Sequence, residues 1–397
     1  ADSGRRAEPV GRHFQPRDDV ALRAGYHSPQ VDVDVRLNTN ESPLPPPQAF
    51  LDAVADEVGR IAWNRYPDRG ATDLRARLAE LHGVAPEQVF VANGSNEVLQ
   101  TLTLTYAGPG RSVAVFEPTY AMHAQIAKVA ASEVAEGRRA ADLSLDLAEV
   151  RRVIDEASPA ITYVCSPNNP TGMIETRETV LDVLAMVPGL LVVDEAYAQF
   201  APWSALELVD EDTPLVVTRT FSKTWSMAAA RLGYLVGPSW VVAELDKVVL
   251  PYHLDSLKQA AGRIALDFVP EMERRVAELV EERGRLVAAL VELPVHWSLD
   301  DWPHFEYLSL RSQGINSTGH SAPSKVEEIW QGEFTFMYRD IPDGVFTLTM
   351  HPQVIGRGHR FLMLERLISW FKSHDGVQFT TLGAAADRFR AEHPISQ

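Results

Sequence analysis

The run Leu190-Leu191-Val192-Val193, followed at once by Asp194-Glu195-Ala196-Tyr197, decides the architecture of the chain. Four consecutive aliphatic residues leave no polar side, so the segment reads as a strand buried on both faces. Five further runs of this kind lie around it, at 89–92, 112–116, 161–165, 215–218 and 233–236. They are rich in Val, Ile and Leu, bounded by Pro, Gly, Asn or Asp, and separated by stretches of helical periodicity. The pattern predicts an α/β domain whose mostly parallel central sheet is covered on both faces. In such sheets the chemistry gathers beyond the carboxyl ends of the strands, so the polar residues just after these runs become the candidates.

Five motifs occupy those positions. Asn93-Gly94-Ser95-Asn96-Glu97 joins a strand to an apolar helix; Gly94 permits a tight turn, and Ser95 or Asn96 can cap the helix. The free N–H groups at such a helix start suit a phosphate, although alone the motif reads as an ordinary capped helix. Glu117-Pro118-Thr119-Tyr120 offers Tyr120 as a ring to stack on a flat heteroaromatic. Ser166-Pro167-Asn168-Asn169-Pro170-Thr171-Gly172 is more particular, because two prolines around two asparagines fix side-chain amides in one place. Asp194 ends its strand as a partly desolvated carboxylate that stays ionised only beside a cation. Thr220-Phe221-Ser222-Lys223-Thr224-Trp225, followed by Arg231, presents one of only six lysines in a pocket of small hydroxyl and aromatic residues. A lysine so placed can form a Schiff base, and Arg231 supplies a charged fork for a phosphate dianion.

One ligand meets all five demands. A phosphate cradle, a stacking ring, an amide, a carboxylate, a phenol and an imine-forming lysine match the parts of pyridoxal 5'-phosphate. A nicotinamide enzyme wants G-x-G-x-x-G and an NTPase G-x-x-x-x-G-K-[ST]; neither occurs.

Composition sets the class. The 397 residues carry 54 acidic and 37 basic side chains, a formal charge of -17, so a basic face for nucleic acid is not expected. Cys165 is the only cysteine, which excludes an intrachain disulfide and a Cys-rich zinc site. No apolar run approaches the roughly 20 residues of a membrane helix. Residues 1–36 are charged throughout, with no apolar core of a secretory signal, so a soluble cytoplasmic enzyme is expected. A long helix is expected at 256–293, interrupted or kinked near Pro270, with Val276, Leu279, Val280, Leu286, Val287 and Leu290 on one packed face. Histidine crowds late in the chain: five of twelve precede Pro294 and seven follow it.

With these motifs in place, the sequence resembles fold-type I pyridoxal-phosphate aminotransferases, most closely the histidinol-phosphate aminotransferases, over residues 17–293. Arg36-Leu37-Asn38-Thr39-Asn40-Glu41, Arg65-Tyr66-Pro67-Asp68 and Leu250-Pro251-Tyr252-His253-Leu254 extend the likeness. The resemblance implies an N-terminal arm at 1–48, a cofactor-binding large domain at 49–255, an interdomain helix at 256–293 and a C-terminal region at 294–397. It implies that Lys223 holds the cofactor through an imine, that Asp194 pairs with the pyridine nitrogen, and that Asn169 and Tyr197 hydrogen-bond the phenolic oxygen. Tyr120 would stack on the ring, and Gly94, Ser95, Asn96, Ser222 and Arg231 would hold the phosphate. Tyr66 would reach that phosphate from a second subunit, so a homodimer is implied. Asn40 and Glu41 would lie on the substrate side, with Ser42 where the family commonly has a second Asn. An amino donor and a 2-oxo acid are the implied substrates, here histidinol phosphate and 2-oxoglutarate, in histidine biosynthesis. An aromatic or other amino-acid aminotransferase, or a chain that binds the cofactor without efficient turnover, are the alternatives.

After Leu293 the family's Asn-Phe segment and late substrate Arg are not found. Residues 294–394 resemble instead the C-terminal end of polysaccharide deacetylase-like (allantoinase-like) enzymes. The resemblance rests on Leu299-Asp300-Asp301-Trp302-Pro303-His304-Phe305, Val326-Glu327-Glu328-Ile329-Trp330 and Phe346-Thr347-Leu348-Thr349-Met350-His351-Pro352. In that family a His at the position of His351 belongs to the active site, but the earlier metal-binding segments are absent here, and no metal is expected. The pattern strand–helix–strand–helix–strand is expected for this atypical α/β region.

Overall fold

The computed structural model describes residue 32 and residues 38–289, 299–305, 307–310, 315–318 and 321–392. The arm before Asn38, apart from Asp32, and the junction at 290–298, with Leu290, Leu293 and Pro294, lie outside the described residues. The chain divides into two compact units, Ala1–Val280 and Glu281–Gln397.

The first unit is built on seven strands: β1 (Val89–Ala92), β2 (Ser112–Glu117), β3 (Glu133–Arg138), β4 (Ile161–Cys165), β5 (Leu190–Asp194), β6 (Leu215–Thr220) and β7 (Gly233–Val236). They form one sheet in the order β1-β7-β6-β5-β4-β2-β3. Strands β3, β2, β4, β5 and β6 run parallel, while β7 is antiparallel to both β6 and β1. Six of the seven fall where apolar runs predict them. The seventh, β3, is an edge strand whose residues are mostly exposed or half-buried, so its composition carries no apolar signal.

Among the described residues nine helices accompany these strands: α1 (Gln48–Val58), α2 (Thr72–His82), α3 (Ser95–Tyr106), α4 (Met122–Val129), α5 (Leu147–Ala157), α6 (Arg177–Met186), α7 (Ser239–Val248), α8 (Ser256–Ala265) and α9 (Val269–Ala289), the last running on past Val280. The two-residue period of the strands sorts their side chains between two faces. Leu190 and Val192 of β5 pack with Val98, Leu99 and Leu102 of α3 and Val241 and Leu245 of α7. Leu191 and Val193 pack instead with Val150 and Val153 of α5 and Val180 and Val183 of α6. By the same alternation Asp194 falls on the side of Leu190 and Val192, facing α3 and α4.

The helix expected at 256–293 is two helices, α8 and α9, joined by a tight turn at Leu266–Phe268 just before Pro270. Its expected apolar stripe is only partly covered. Val276 is buried in the core, but Leu286 and Val287 are 57% and 62% exposed. Periodicity identifies a face; it does not say how far along that face a partner extends.

The second unit corrects the expected strand–helix alternation. Its described residues form α10 (Asp301–Phe305), an antiparallel hairpin β8 (Tyr307–Leu310) and β9 (Ile315–Thr318), then α11 (Pro323–Asp340), α12 (Pro352–Ile355), α13 (Gly358–Lys372) and α14 (Leu382–Glu392). The apolar residues recur at helical spacing: Val326, Trp330 and Phe334 on α11 meet Met363, Leu367 and Phe371 on α13. Two of the late histidines, His304 and His374, have a packing role. Trp370 and His374 lie edge-on around Phe334, and His304 does the same to Trp330.

Candidate active site

The reversed strand β7 assembles one end of the site. Because it runs against its neighbours, its first residue, Gly233, pairs with the last residues of β1 and β6, Ala92 and Thr220. Arg231 therefore enters between the two loops that follow those strands. Its guanidinium Nη1 donates to Ser222 Oγ at 3.2 Å. Gly94 adopts φ +83, and a Cβ there would stand 2.8 Å from Arg231 Nη2. At Gly233 a Cβ would meet the backbone nitrogen of Ser95 at 2.3 Å, so only glycine lets α3 start this close to the sheet. Gly94, not Ser95 or Asn96, takes the N-cap position, and no side chain caps the helix. The first N–H groups of α3 have no partner within the helix and remain available to an anion.

A second cluster sits below the first. Asn96 Oδ1 accepts from Tyr120 Oη at 3.1 Å, and the Tyr120 ring lies edge-on to His123. His123 Nε2 is 2.9 Å from Asp194 Oδ2, with both side chains almost fully buried. A carboxylate only accepts, so Nε2 is the protonated nitrogen in this bond. The imidazole is stacked on Tyr163 at 4.6 Å, and its Nδ1 has no hydrogen-bond partner among the described residues. The sequence expects a cation beside Asp194 without naming His123. Its only trace there is a His one turn after Tyr120, which reads equally as a core residue.

Lys223 and Tyr197 form the third cluster. Lys223 Nζ lies 5.7 Å from the centre of the Tyr197 ring and donates to the carbonyl oxygen of Thr39 at 2.9 Å. Burial lowers the Lys223 pKa below its ordinary 10.5; the Glu41 carboxylate opposes this and Arg231 adds to it. Burial also raises the Tyr197 pKa, partly offset by Asn40, whose Nδ2 donates to the phenol oxygen at 3.1 Å. Asn40 and Glu41 thus lie on the Lys223 side, on a short strap formed by residues 39–42. Thr39 was not a sequence candidate, since it acts through a backbone carbonyl that any residue carries.

Asn169 and Tyr66 are the remaining candidates of the first unit. In the Pro-flanked turn, Asn168 is the buried member, held by Thr119 Oγ1, Thr171 Oγ1 and the carbonyl oxygen of Pro118. Asn169 follows it half-buried. Tyr66 is 80% exposed and stacks on Tyr252, not on the clusters above. In the second unit, His351 Nδ1 lies 2.7 Å from Asp301 Oδ1, and its backbone N–H donates to Oδ2 of the same carboxylate. Asp300 stands 3.8 Å from that Nδ1, so Asp300, Asp301 and His351 form a group of metal-ligand types that the spacing did not suggest.

An anion cradle, a buried carboxylate and a desolvated lysine at the carboxyl end of one sheet define an enzyme that handles a phosphorylated carbonyl cofactor. Residues 32–312 match the family described as aminotransferase class I and II, and the chain belongs to that family. The match passes Leu293, where the motif comparison ended. Over 300 residues the chain is 42% identical to the histidinol-phosphate aminotransferase of Mycobacterium avium (strain 104), covering 72% of this chain and 75% of that protein. It is 45% identical over 289 residues to the enzyme of the same name from Nocardia farcinica (strain IFM 10152), covering 69% and 75%. Among solved structures it is similar to histidinol-phosphate aminotransferase from Sinorhizobium meliloti in complex with pyridoxal-5'-phosphate. That likeness has a TM-score of 0.59 at 25% identity, over 63% of this chain and 70% of that chain. Aspartate aminotransferase from Thermus thermophilus with maleate shares the fold, with a TM-score of 0.55 at 24% identity over 64% and 70%. The chain is an aminotransferase, and pyridoxal 5'-phosphate is the cofactor of its class. No described helix is long and apolar enough to cross a membrane.

Proposed function

We propose that this chain transfers the amino group of histidinol phosphate to 2-oxoglutarate, giving imidazole acetol phosphate and glutamate in histidine biosynthesis. The observation that carries the reading is the convergence of Lys223, Asp194 and Arg231 at one sheet end, in a chain 42% identical over 300 residues to an enzyme of that name. The residues present fit pyridoxal phosphate. Gly94 leaves room that a Cβ would fill beside Arg231. Arg231, Ser222 and the backbone of Ser95 and Asn96 would hold the phosphate. Asp194, oriented by His123, would face the ring nitrogen, with Tyr120 over the ring and Asn169 and Tyr197 at its phenolic oxygen.

When bound, the cofactor supplies an aldehyde and an electron-accepting ring. The protein moves the protons. Lys223, shifted toward its neutral amine by burial, would take up the proton of the donor's α-carbon at Nζ and give it back to the carbon on the far side of the transferred nitrogen. Asp194 balances positive charge at the ring nitrogen, and Tyr197, held by Asn40, donates to the phenolic oxygen. Asn40 and Glu41 line the substrate side. We further infer a cytoplasmic homodimer in which the exposed Tyr66 of one subunit reaches the phosphate of the other. Incubation with cofactor, histidinol phosphate and 2-oxoglutarate should release glutamate, and phenylalanine should be a poorer donor. Cofactor-loaded protein that prefers phenylalanine, or forms no glutamate, would overturn the assignment.

A further inference from the structure

Ser226 is a non-glycine residue at φ +57, three positions after Lys223. L residues enter this region at a cost and stay there only when their surroundings hold them. The holding contact is visible: Ser226 Oγ donates to Ser42 Oγ at 2.9 Å. Ser42 Oγ in turn donates to the carbonyl oxygen of Leu44 at 3.2 Å. Each hydroxyl has one proton to give, so the chain Ser226, Ser42, Leu44 has a single direction with no donor left over. Both serines are half-buried, where a hydroxyl bond is screened less than at the surface.

The contact closes the strap. At its other end, Thr39 accepts from Lys223 and Asn40 donates to Tyr197. Residues 39–42 are thus pinned at three points, on Lys223, on Tyr197 and on Ser226. Asn40 is itself left-handed at φ +52, so the strap is also a bent conformation that needs anchoring.

We propose that Ser42 and Ser226 form a hydroxyl latch that fixes the strap 39–42 beside Lys223 and thereby sets the binding of the amino donor. Both are positioning residues; neither touches the reacting atoms. The inference rests on the aminotransferase reading given above, and deepens it.

The test uses Ser42→Ala, Ser226→Ala, the double variant and Ser226→Gly in the full chain. Ser226→Ala removes the bond to Ser42, and Ser42→Ala removes that bond and the one to Leu44. KM for histidinol phosphate should therefore rise about threefold to tenfold with kcat nearly constant, and the double variant should be no worse than Ser42→Ala. Ser226→Gly separates function from folding: it relieves the left-handed backbone, so it should melt above Ser226→Ala while showing the same rise in KM. A KM that follows melting temperature across the set, or single effects that add in the double variant, overturns the latch. Hydrogen exchange of the segment 38–44 in cofactor-free protein gives a readout without turnover. Faster exchange in both alanine variants supports the latch even if histidinol phosphate proves the wrong donor; unchanged exchange sinks it.

Discussion

At Lys223 opposing effects meet. Burial and Arg231 favour the neutral amine, Glu41 the charged one, and burial dominates. The sign of the linkage follows: below 10.5 the unfolded chain binds the proton more tightly than the folded one, so folding becomes more favourable as pH rises through that window. Lys223→Met lacks this dependence. The melting temperature of the cofactor-free wild type should therefore gain on that of Lys223→Met as pH rises toward 10.5. A gap that stays constant, or moves the other way, means that the amine is not desolvated. Borohydride reduction in the presence of pyridoxal phosphate should fix cofactor mass to the wild type at Lys223 and none to the variant. Lys223 and Asp194 were legible in the sequence because each follows an apolar run at a strand end. His123 was not, because its meaning arises only when α4 sets it against a carboxylate 71 positions further along the chain.

At the scale of elements, α2 is tied to β7 by His82, whose Nε2 lies 2.8 Å from Tyr234 Oη. Burial, helped by Arg219, pushes the His82 pKa down to about 4. The unfolded chain takes up a proton near the ordinary value of 6.5, so this contribution is intact above that pH and is lost as pH falls toward 4. Urea titrations should show the wild type losing about 2 kcal/mol more than His82→Gln between neutral pH and about pH 5. Equal losses would remove His82 from the acid limb. The contact of β7 with α3 is tested by Gly233→Ala, whose methyl group would be forced against Ser95 N. A loss of about 3 kcal/mol in unfolding free energy, with weaker cofactor binding, is expected. The strands were readable to the extent that they are buried. Val89–Ala92 and Leu190–Val193 are apolar throughout and buried, while Glu133–Arg138 borders the sheet and keeps its charges in solvent. The direction of β7 was not readable, since four apolar residues look the same in either sense.

For the whole molecule, the shared-site dimer proposed above carries an expectation that no single chain can satisfy. Lys223→Ala and Tyr66→Ala homodimers should each be impaired, and mixing them under subunit exchange should restore turnover, because one site of each heterodimer is then intact. Absence of complementation, with exchange verified by light scattering or native mass spectrometry, would assign Tyr66 a role within its own subunit. The reversed strand has a further consequence, for the order in which the protein is made. Val89 of β1 pairs with Val236 of β7, and among the described residues β1 has no other neighbour in the sheet. On the ribosome β1 must wait for β7 to emerge, whereas β2 through β6 can pair as they are synthesised, a long-range step of the kind that slows folding. The Gly94 loop, Ser222 and Arg231 come together only at that last pairing. The cofactor would then bind only a chain whose seven-stranded sheet is already complete, and its arrival would mark that closure.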